Sequence, residues 1–298
     1  MALPIAVCEA QPKPPTTAAK LGYPADAKLL IIHADDVGLA HSVNQATFKA
    51  LQGKSVTSAS IMVPCPWFTE AAAWAKEHPD ADLGLHLTLT SEWRQFRWGP
   101  VASKDKVRGL LDPDEYLWRA VAPVAERATP GEVEQEIRAQ VQRAMQAGVR
   151  PTHLDTHMGT LIAKPAFYAA YVKVAREQRL PFMAMRMPTA PPETLALFRD
   201  DDPVLDAFAM AGEQVEPRRW MEYYAGVIRS LKPGLTLLIV HLGYDDAELR
   251  AITEGKPAYG SAWRQRDFDV VSSSEFKHLL EEDNVTLVGW KDLRAQRK

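Results

Sequence analysis

From residue 28 onward, apolar and polar positions follow two alternating patterns. Residues 28–33 (KLLIIH) form a continuous apolar run that stops at a charged pair, Asp35-Asp36, the signature of a buried parallel strand. Residues 42–52 follow with Val43, Ala46, Ala50 and Leu51 at helical spacing. Residues 56–63 read as a second strand, the Ala-rich stretch 67–77 as a helix, and 83–89 (LGLHLTL) as an alternating third strand. Residues 130–147 carry the strongest helix signal, with Thr129 as N-cap, Pro130 in the first turn, Glu132 three residues after the cap and Gly148 at the end. Beyond it, 152–157, 182–186, 235–241 (LTLLIVH) and 285–288 read as strands, and 166–179, 218–231 and 272–282 as helices. Residues 93–112 and 190–217 show no clear period and read as loops long enough to shape a site.

Strands that alternate with helices imply βαβ units and a parallel sheet. About seven strands predict one α/β domain over residues 28–298, a single distorted (β/α) TIM-like barrel in preference to an open doubly wound sheet. Residues 1–27 read separately as a disordered or extended N-terminal lead-in, rich in Pro, Thr, Ala and Lys. The stretch MALPIAVC has no basic start and is too short for a signal peptide, so a cytoplasmic protein and an exported one with a trimmed signal both stay open. There is no GxGxxG after the first strand and no GxxxxGK[ST], which leaves dinucleotide and P-loop readings without support.

Composition changes this picture only by exclusion. With 46% apolar and 24% charged residues among 298, the chain matches soluble globular averages, which rules out wholesale disorder and fibrous or disulfide-scaffold classes. A net charge of −3 gives no global footprint for nucleic acid, and no apolar run reaches the roughly 18 residues of a membrane span. Cys8 and Cys65 have no CxxC neighbour, so a zinc ribbon is excluded; two free thiols are the preferred reading over a disulfide.

The informative feature is where histidine and aspartate fall. Five of eight histidines lie in or at the ends of predicted strands: His33, His86, His153, His157 and His241. Asp35 and Asp36 follow the first strand, and Asp155 lies between His153 and His157 at period-two spacing, which puts the three on one strand face. Each alone has an ordinary explanation: a helix cap for the aspartate pair, a hydrogen-bonded core histidine for His86 or His241, a polar strand face for the triplet. Four strand ends carrying the same chemistry point instead to one rim, where parallel α/β folds hold their active sites. Histidine and aspartate suit zinc, manganese, iron or nickel with open positions for water. In a pair of adjacent carboxylates, one can bind a cation while the other stays free as a base, and a histidine opposite can protonate a leaving group, a complete set for amide or ester hydrolysis. The chain has no GxSxG elbow, and its cysteines lie outside these positions, which disfavours a covalent nucleophile.

Four blocks, LLIIHADDVGLAHSVNQA (29–46), VTSASIMV (56–63), LGLHLTLT (83–90) and PTHLDTH (151–157), resemble in order and spacing the YdjC-like carbohydrate deacetylases, the family that includes chitooligosaccharide deacetylase. The resemblance implies a metal-dependent hydrolase that removes an acetyl group from an N-acetylated sugar or oligosaccharide by attack of metal-bound water. It implies one divalent metal ion, zinc or magnesium first and manganese, nickel or cobalt as alternatives, held by Asp36, His86 and His157. Asp35 would be the general base and His241 the general acid. His153 and Asp155 would orient the ligands or the base, and Arg264 or Arg266 in the WRQRD segment would pair with Asp35 or contact substrate. Trp67, Trp93, Trp98, Trp220 and Trp263 would suit stacking on sugar faces. Where relatives continue the HLDTH block with further histidines, this chain has Met158-Gly159-Thr160, a departure that bears on the substrate more than on the metal. The alternatives are another metallohydrolase on the same barrel, an amidohydrolase or phosphoesterase, and a non-catalytic sugar-binding relative. A homodimer is left open.

Overall fold

Apolar runs become strands here because both of their faces are covered. The computed structural model describes residues 16–185, 191–200 and 202–295. Its strands are β1 (Lys28–Val37), β2 (Ser58–Ile61), β3 (Leu83–Leu87), β4 (Leu154–Thr156), β5 (Ala184–Met185), β6 (Val204–Leu205), β7 (Ala207–Met210), β8 (Gly234–Val240) and β9 (Val285–Leu287). Every pairing between them is parallel. The main sheet runs β4-β3-β2-β1-β8-β7, with β9 beside the lower end of β1. A bridge from Leu154 to Phe182 leads from β4 towards β5, β5 pairs with β6, and β6 continues through Asp206 into β7. The open main sheet is thus completed by the small β5–β6 sheet, joined to β4 by one bridge and to β7 by the chain itself. This is the distorted (β/α) barrel that the alternation predicted, with a thin wall at β5 and β6.

Period-two alternation divides the strand residues between two cores. Leu30, Ile32 and Ala34 of β1 face outward and pack with Val43, Ala46 and Phe48 of the helix His41–Gln52. Leu29 and Ile31 face inward and meet Leu235, Leu237 and Ile239 of β8. The bottom of the barrel is stoppered from both chain ends, by Ala18 and Leu21 and by Trp290 and Leu293. Each large aliphatic side chain buried in this way contributes roughly 1.5–3 kcal/mol. The long helix Pro130–Gln146 begins with the expected capping box between Thr129 and Glu132.

Three readings change. The lead-in is described only from Thr16, and there Thr17–Lys20 forms a helical turn docked on the barrel floor: Ala18 is fully buried and the Thr17 hydroxyl donates to the Val204 carbonyl at 2.8 Å. Burial of its small apolar face outweighs the loop-like composition. Residues 190–217, read as loop, contain β6 and β7, and 261–271, for which no element was expected, is the helix Ser261–Val271. Cys65 is buried, while Cys8, and with it any Cys8–Cys65 pair, lies outside the described residues, as does Arg186 at the end of the fifth expected strand. Among the described residues no helix is long and apolar enough to cross a membrane.

Candidate metal centre

The interior of the barrel changes character from bottom to top. The inward positions of β1 read Leu29, Ile31, His33, Asp35, and those of β8 and the residue after it read Leu235, Leu237, Ile239, His241. On β3 and β4 the register sets His86 beside Asp155. Asp36 breaks the alternation. Its φ of 71° is left-handed, an uncommon region for a residue with a Cβ, and the β1–β2 register shifts between Ala34 and Val37. The turn brings the Asp36 carboxylate, which strict alternation would aim outward, in beside Asp35.

Asp36 Oδ1 lies 3.4 Å from His86 Nε2 and 3.4 Å from His157 Nδ1. The three residues offer ligand atoms that all lie within 4.8 Å of one another. The remaining polar atom of each residue is held from behind. Arg264 donates to Asp36 Oδ2 at 2.6 Å, His86 Nδ1 donates to Asp155 Oδ1 at 2.7 Å, and His157 Nε2 donates to Glu92 Oε2 at 3.0 Å. Asp155 Oδ2 in turn accepts from His33 Nε2 at 2.8 Å, and the Ser58 hydroxyl meets His33 Nδ1 at 2.7 Å. Asp35 stands beside the trio, 3.3 Å from His33 Nε2, 3.6 Å from His86 Nε2 and 4.0 Å from His241 Nε2. Two further overlapping groups have the same donor chemistry, His33 with His153 and Asp155, and Asp35 with His86 and Asp155.

Burial sets the electrostatics, and charge partners decide the sign. Burial alone would raise the Asp36 carboxyl, but Arg264 and the two histidines overcome it and hold it well below the usual carboxylate range. Asp35 has no such cation; burial pushes it up to about 6 against the pull of His86. Burial opposes charge on both histidine ligand candidates, yet Asp35 and Asp155 draw His86 well above its ordinary value, and Glu92 and Asp36 draw His157 up to about 9. His241 lacks a close carboxylate contact, and burial drops it to about 3. The centre therefore concentrates carboxylates and gathers positive charge wherever it can. Asp36 Oδ1 and Asp35 Oδ1 are buried with no hydrogen-bond partner among the described residues. Buried carboxylate oxygens without donors are costly, and two imidazole nitrogens converging on one of them form a donor set that fits a divalent cation.

The residues singled out from sequence fall into three groups. Asp35, Asp36, His86, His157 and His241 meet around one point, and Asp155 bridges His33 and His86. His153 lies one layer lower. Its ring stacks on Trp290 at 4.8 Å and its Nε2 is 3.8 Å from Asp155 Oδ2, too far for a hydrogen bond. Gly84 makes room for that ring, since a Cβ there would collide with His153 Nε2. The expected arginine pairing with Asp35 needs correction. Arg264 pairs with Asp36 and not Asp35, because the left-handed turn at Asp36 carries its carboxylate towards the helix Ser261–Val271. Arg266 lies 4.5 Å over the Trp220 ring, and its Nε has no hydrogen-bond partner among the described residues. The tryptophans are corrected too: Trp93, Trp98, Trp220 and Trp263 are buried, and of the five only Trp67 is exposed, at 36%.

Sequence reasoning missed Glu92 and Asp267. Asp267 accepts from the Trp220 indole at 2.7 Å, the Tyr224 hydroxyl at 2.6 Å and the His241 backbone N–H at 2.9 Å, which fixes the place where His241 leaves β8. It lies three residues after Arg264 on one helix face, a spacing that becomes informative only once the helix is known. Glu92 follows LGLHLTLT in an irregular segment, where no period points to it.

Comparison with known proteins identifies the family of the chain. The family model of YdjC-like proteins matches residues 29–282. A carbohydrate deacetylase of Thermus thermophilus is 30% identical over 261 residues, 86% of this chain and 90% of that protein. A chitooligosaccharide deacetylase of Serratia marcescens is 32% identical over 155 residues, 52% of this chain and 58% of that protein. A crystal structure from Enterococcus faecalis V583, described as a candidate cellobiose-phosphate cleavage protein, superposes with a TM-score of 0.73 at 25% identity, over 90% of this chain and 99% of that one. With the family model spanning the barrel from β1 to the end of the helix Ser274–Glu282, this chain belongs to the YdjC-like protein family.

Proposed function

We propose that the protein is a metal-dependent carbohydrate deacetylase, hydrolysing the amide of an N-acetylated sugar to acetate and the free amine. The observation that carries the reading is the convergence of Asp36 Oδ1, His86 Nε2 and His157 Nδ1, with Asp35 and His241 flanking them. The carbohydrate deacetylases among its relatives supply the substrate class.

Asp36, His86 and His157 would hold one divalent cation. Two imidazoles and one carboxylate favour zinc or a neighbouring first-row ion such as manganese, nickel or cobalt over magnesium, which prefers oxygen donors. When bound, such an ion supplies Lewis acidity, polarising the acetyl carbonyl and bringing the pKa of water towards neutrality. The rest is work for side chains. Arg264 keeps Asp36 ionised, and Asp155 keeps the Nε2 lone pair of His86 aimed at the centre. Asp35 is outside the ligand trio and burial raises it to about 6, so it can take a proton from water and give it up again near neutral pH, as a general base needs. His241 is held neutral by burial, so it must receive a proton before it can pass one to the departing amine. Asp35 Oδ2, 4.0 Å from His241 Nε2, is the carboxylate that faces it.

The test is acetate release from a panel of N-acetylated sugars and oligosaccharides, using chelated protein, then protein reloaded with zinc, manganese, nickel, cobalt or magnesium, with Asp35→Asn as control. Metal-restored release that the variant lacks is the expected result. No acetate from any N-acetyl sugar by protein carrying one metal per chain would overturn the deacetylase reading and leave the metal centre standing.

A further inference from the structure

We infer that Glu92 is a positioning residue that makes His157 a metal ligand through Nδ1, so that the two histidines of the centre bind through opposite ring nitrogens. The inference rests on the metal-centre reading above and adds to it a residue and a ring chemistry.

A neutral imidazole has one N–H and one lone pair, and an ionised carboxylate only accepts, so the carboxylate partner decides which nitrogen is free. For His86 the partner is Asp155, which takes Nδ1 at 2.7 Å and leaves Nε2 to face Asp36 Oδ1. For His157 the arrangement is reversed. Glu92 Oε2 takes Nε2 at 3.0 Å, and Nδ1 faces the same Asp36 oxygen at 3.4 Å. The two rings stand edge to face, centroids 5.1 Å apart at 71°, as two donors approaching one point from different sides would. Nδ1 lies nearer the main chain than Nε2, so ligation through it requires the backbone to pass close to the centre. The chain turns sharply there: Met158 and Gly159, immediately after His157, are both left-handed, at φ 53° and 65°.

Glu92 is built to hold that orientation. Its side chain is only 8% exposed. The segment that carries it is pinned on both sides, by Ser91 N–H to the Trp118 carbonyl at 2.8 Å and by Arg119 to the Trp93 carbonyl at 2.6 Å. An anchored carboxylate behind a histidine ligand fixes the ring, selects the tautomer and raises its basicity.

The experiment uses the full chain, stripped of metal and titrated with zinc against a competing chelator, for wild type, Glu92→Ala and Glu92→Gln. In parallel, ¹H–¹⁵N correlation spectra of zinc-loaded, histidine-labelled protein read which ring nitrogen is metallated. One histidine metallated at Nδ1 and one at Nε2 is expected in wild type. Glu92→Ala should bind zinc about 10–100-fold more weakly. Glu92→Gln, whose amide oxygen can still accept from Nε2–H, should keep the Nδ1 signature and regain much of the affinity. Two Nε2-metallated histidines in wild type, or Glu92→Ala binding zinc within about twofold of wild type, would overturn the inference while leaving the metal centre intact. Wild type that binds no zinc would overturn both. If Glu92→Ala does not fold, the wild-type spectrum and Glu92→Gln still decide.

Discussion

β1 and β8 begin as the same kind of strand. Both are continuous apolar runs, paired in register from Lys28 against Gly234 to Ala34 against Val240, and both send leucine and isoleucine into the barrel floor. They part at the top. β8 keeps its alternation and delivers one functional side chain, His241. β1 turns left-handed at Asp36 and delivers two adjacent carboxylates that differ in every respect that matters. Arg264 holds Asp36 ionised, whereas Asp35 faces histidines but no guanidinium and is raised by burial. One break in strand regularity, stabilised by one buried guanidinium, turns a strand end into a ligand and a base. A regular strand could offer only one of the two.

Removing the break should have the largest effect. Asp36→Ala is expected to abolish metal binding, and by leaving Arg264 buried without its partner it should cost about 3–5 kcal/mol, read as metal content and as a denaturant midpoint. A variant that melts like wild type would mean the Asp36–Arg264 pair does not hold the turn. Next comes the other member of the pair. Asp35→Asn should keep the metal and lose turnover by about 10²–10⁴-fold, measured as kcat for acetate release from an N-acetylated sugar; retained turnover would remove Asp35 as the base. Within the shared lower half, Leu237→Ala should cost about 2–5 kcal/mol in stability while leaving metal affinity unchanged, which would separate floor from rim.

The smallest effect is a pH slope. His157 is raised from 6.5 to about 9 in the folded protein, so its protonation stabilises the fold fully below 6.5, and that stabilisation is lost as pH rises through about 9. Asp35, raised from 3.8 to about 6, contributes with the same sign at lower pH: its share is complete below 3.8 and gone above about 6. The melting temperature of metal-free protein should therefore fall between pH 6.5 and 9, and zinc, which takes the place of the histidine protons, should flatten the fall. A metal-free melting temperature that rises over that interval would contradict the assignment of charge in the centre.

What the sequence disclosed follows from what repeats. β1, β3 and β8 were legible because buried parallel strands are continuous or alternating apolar runs, and the line His153, Asp155, His157 was legible because period two puts its members on one face. The helix Ser261–Val271 was not, because it buries Arg264 and Asp267 along with Trp263 and Phe268, so no apolar stripe marks its inner face. The same cause hid the true partner of Arg264. Without the helix, and without the left-handed turn that aims Asp36 at it, the sequence reading set the arginine against Asp35 instead. Glu92 depends on tertiary contact alone: its hydrogen bond to His157 spans 65 residues, and no local pattern records it.

The proposed chemistry depends on a single cation site at Asp36, His86 and His157. Anomalous diffraction at the zinc edge from crystals of the zinc-loaded protein tests it most directly. One anomalous peak about 2.0–2.2 Å from Asp36 Oδ1, His86 Nε2 and His157 Nδ1, with Asp35 outside ligand distance, is the expected result. A peak among His33, His153 and Asp155 instead would contradict it and move the centre one layer down the barrel.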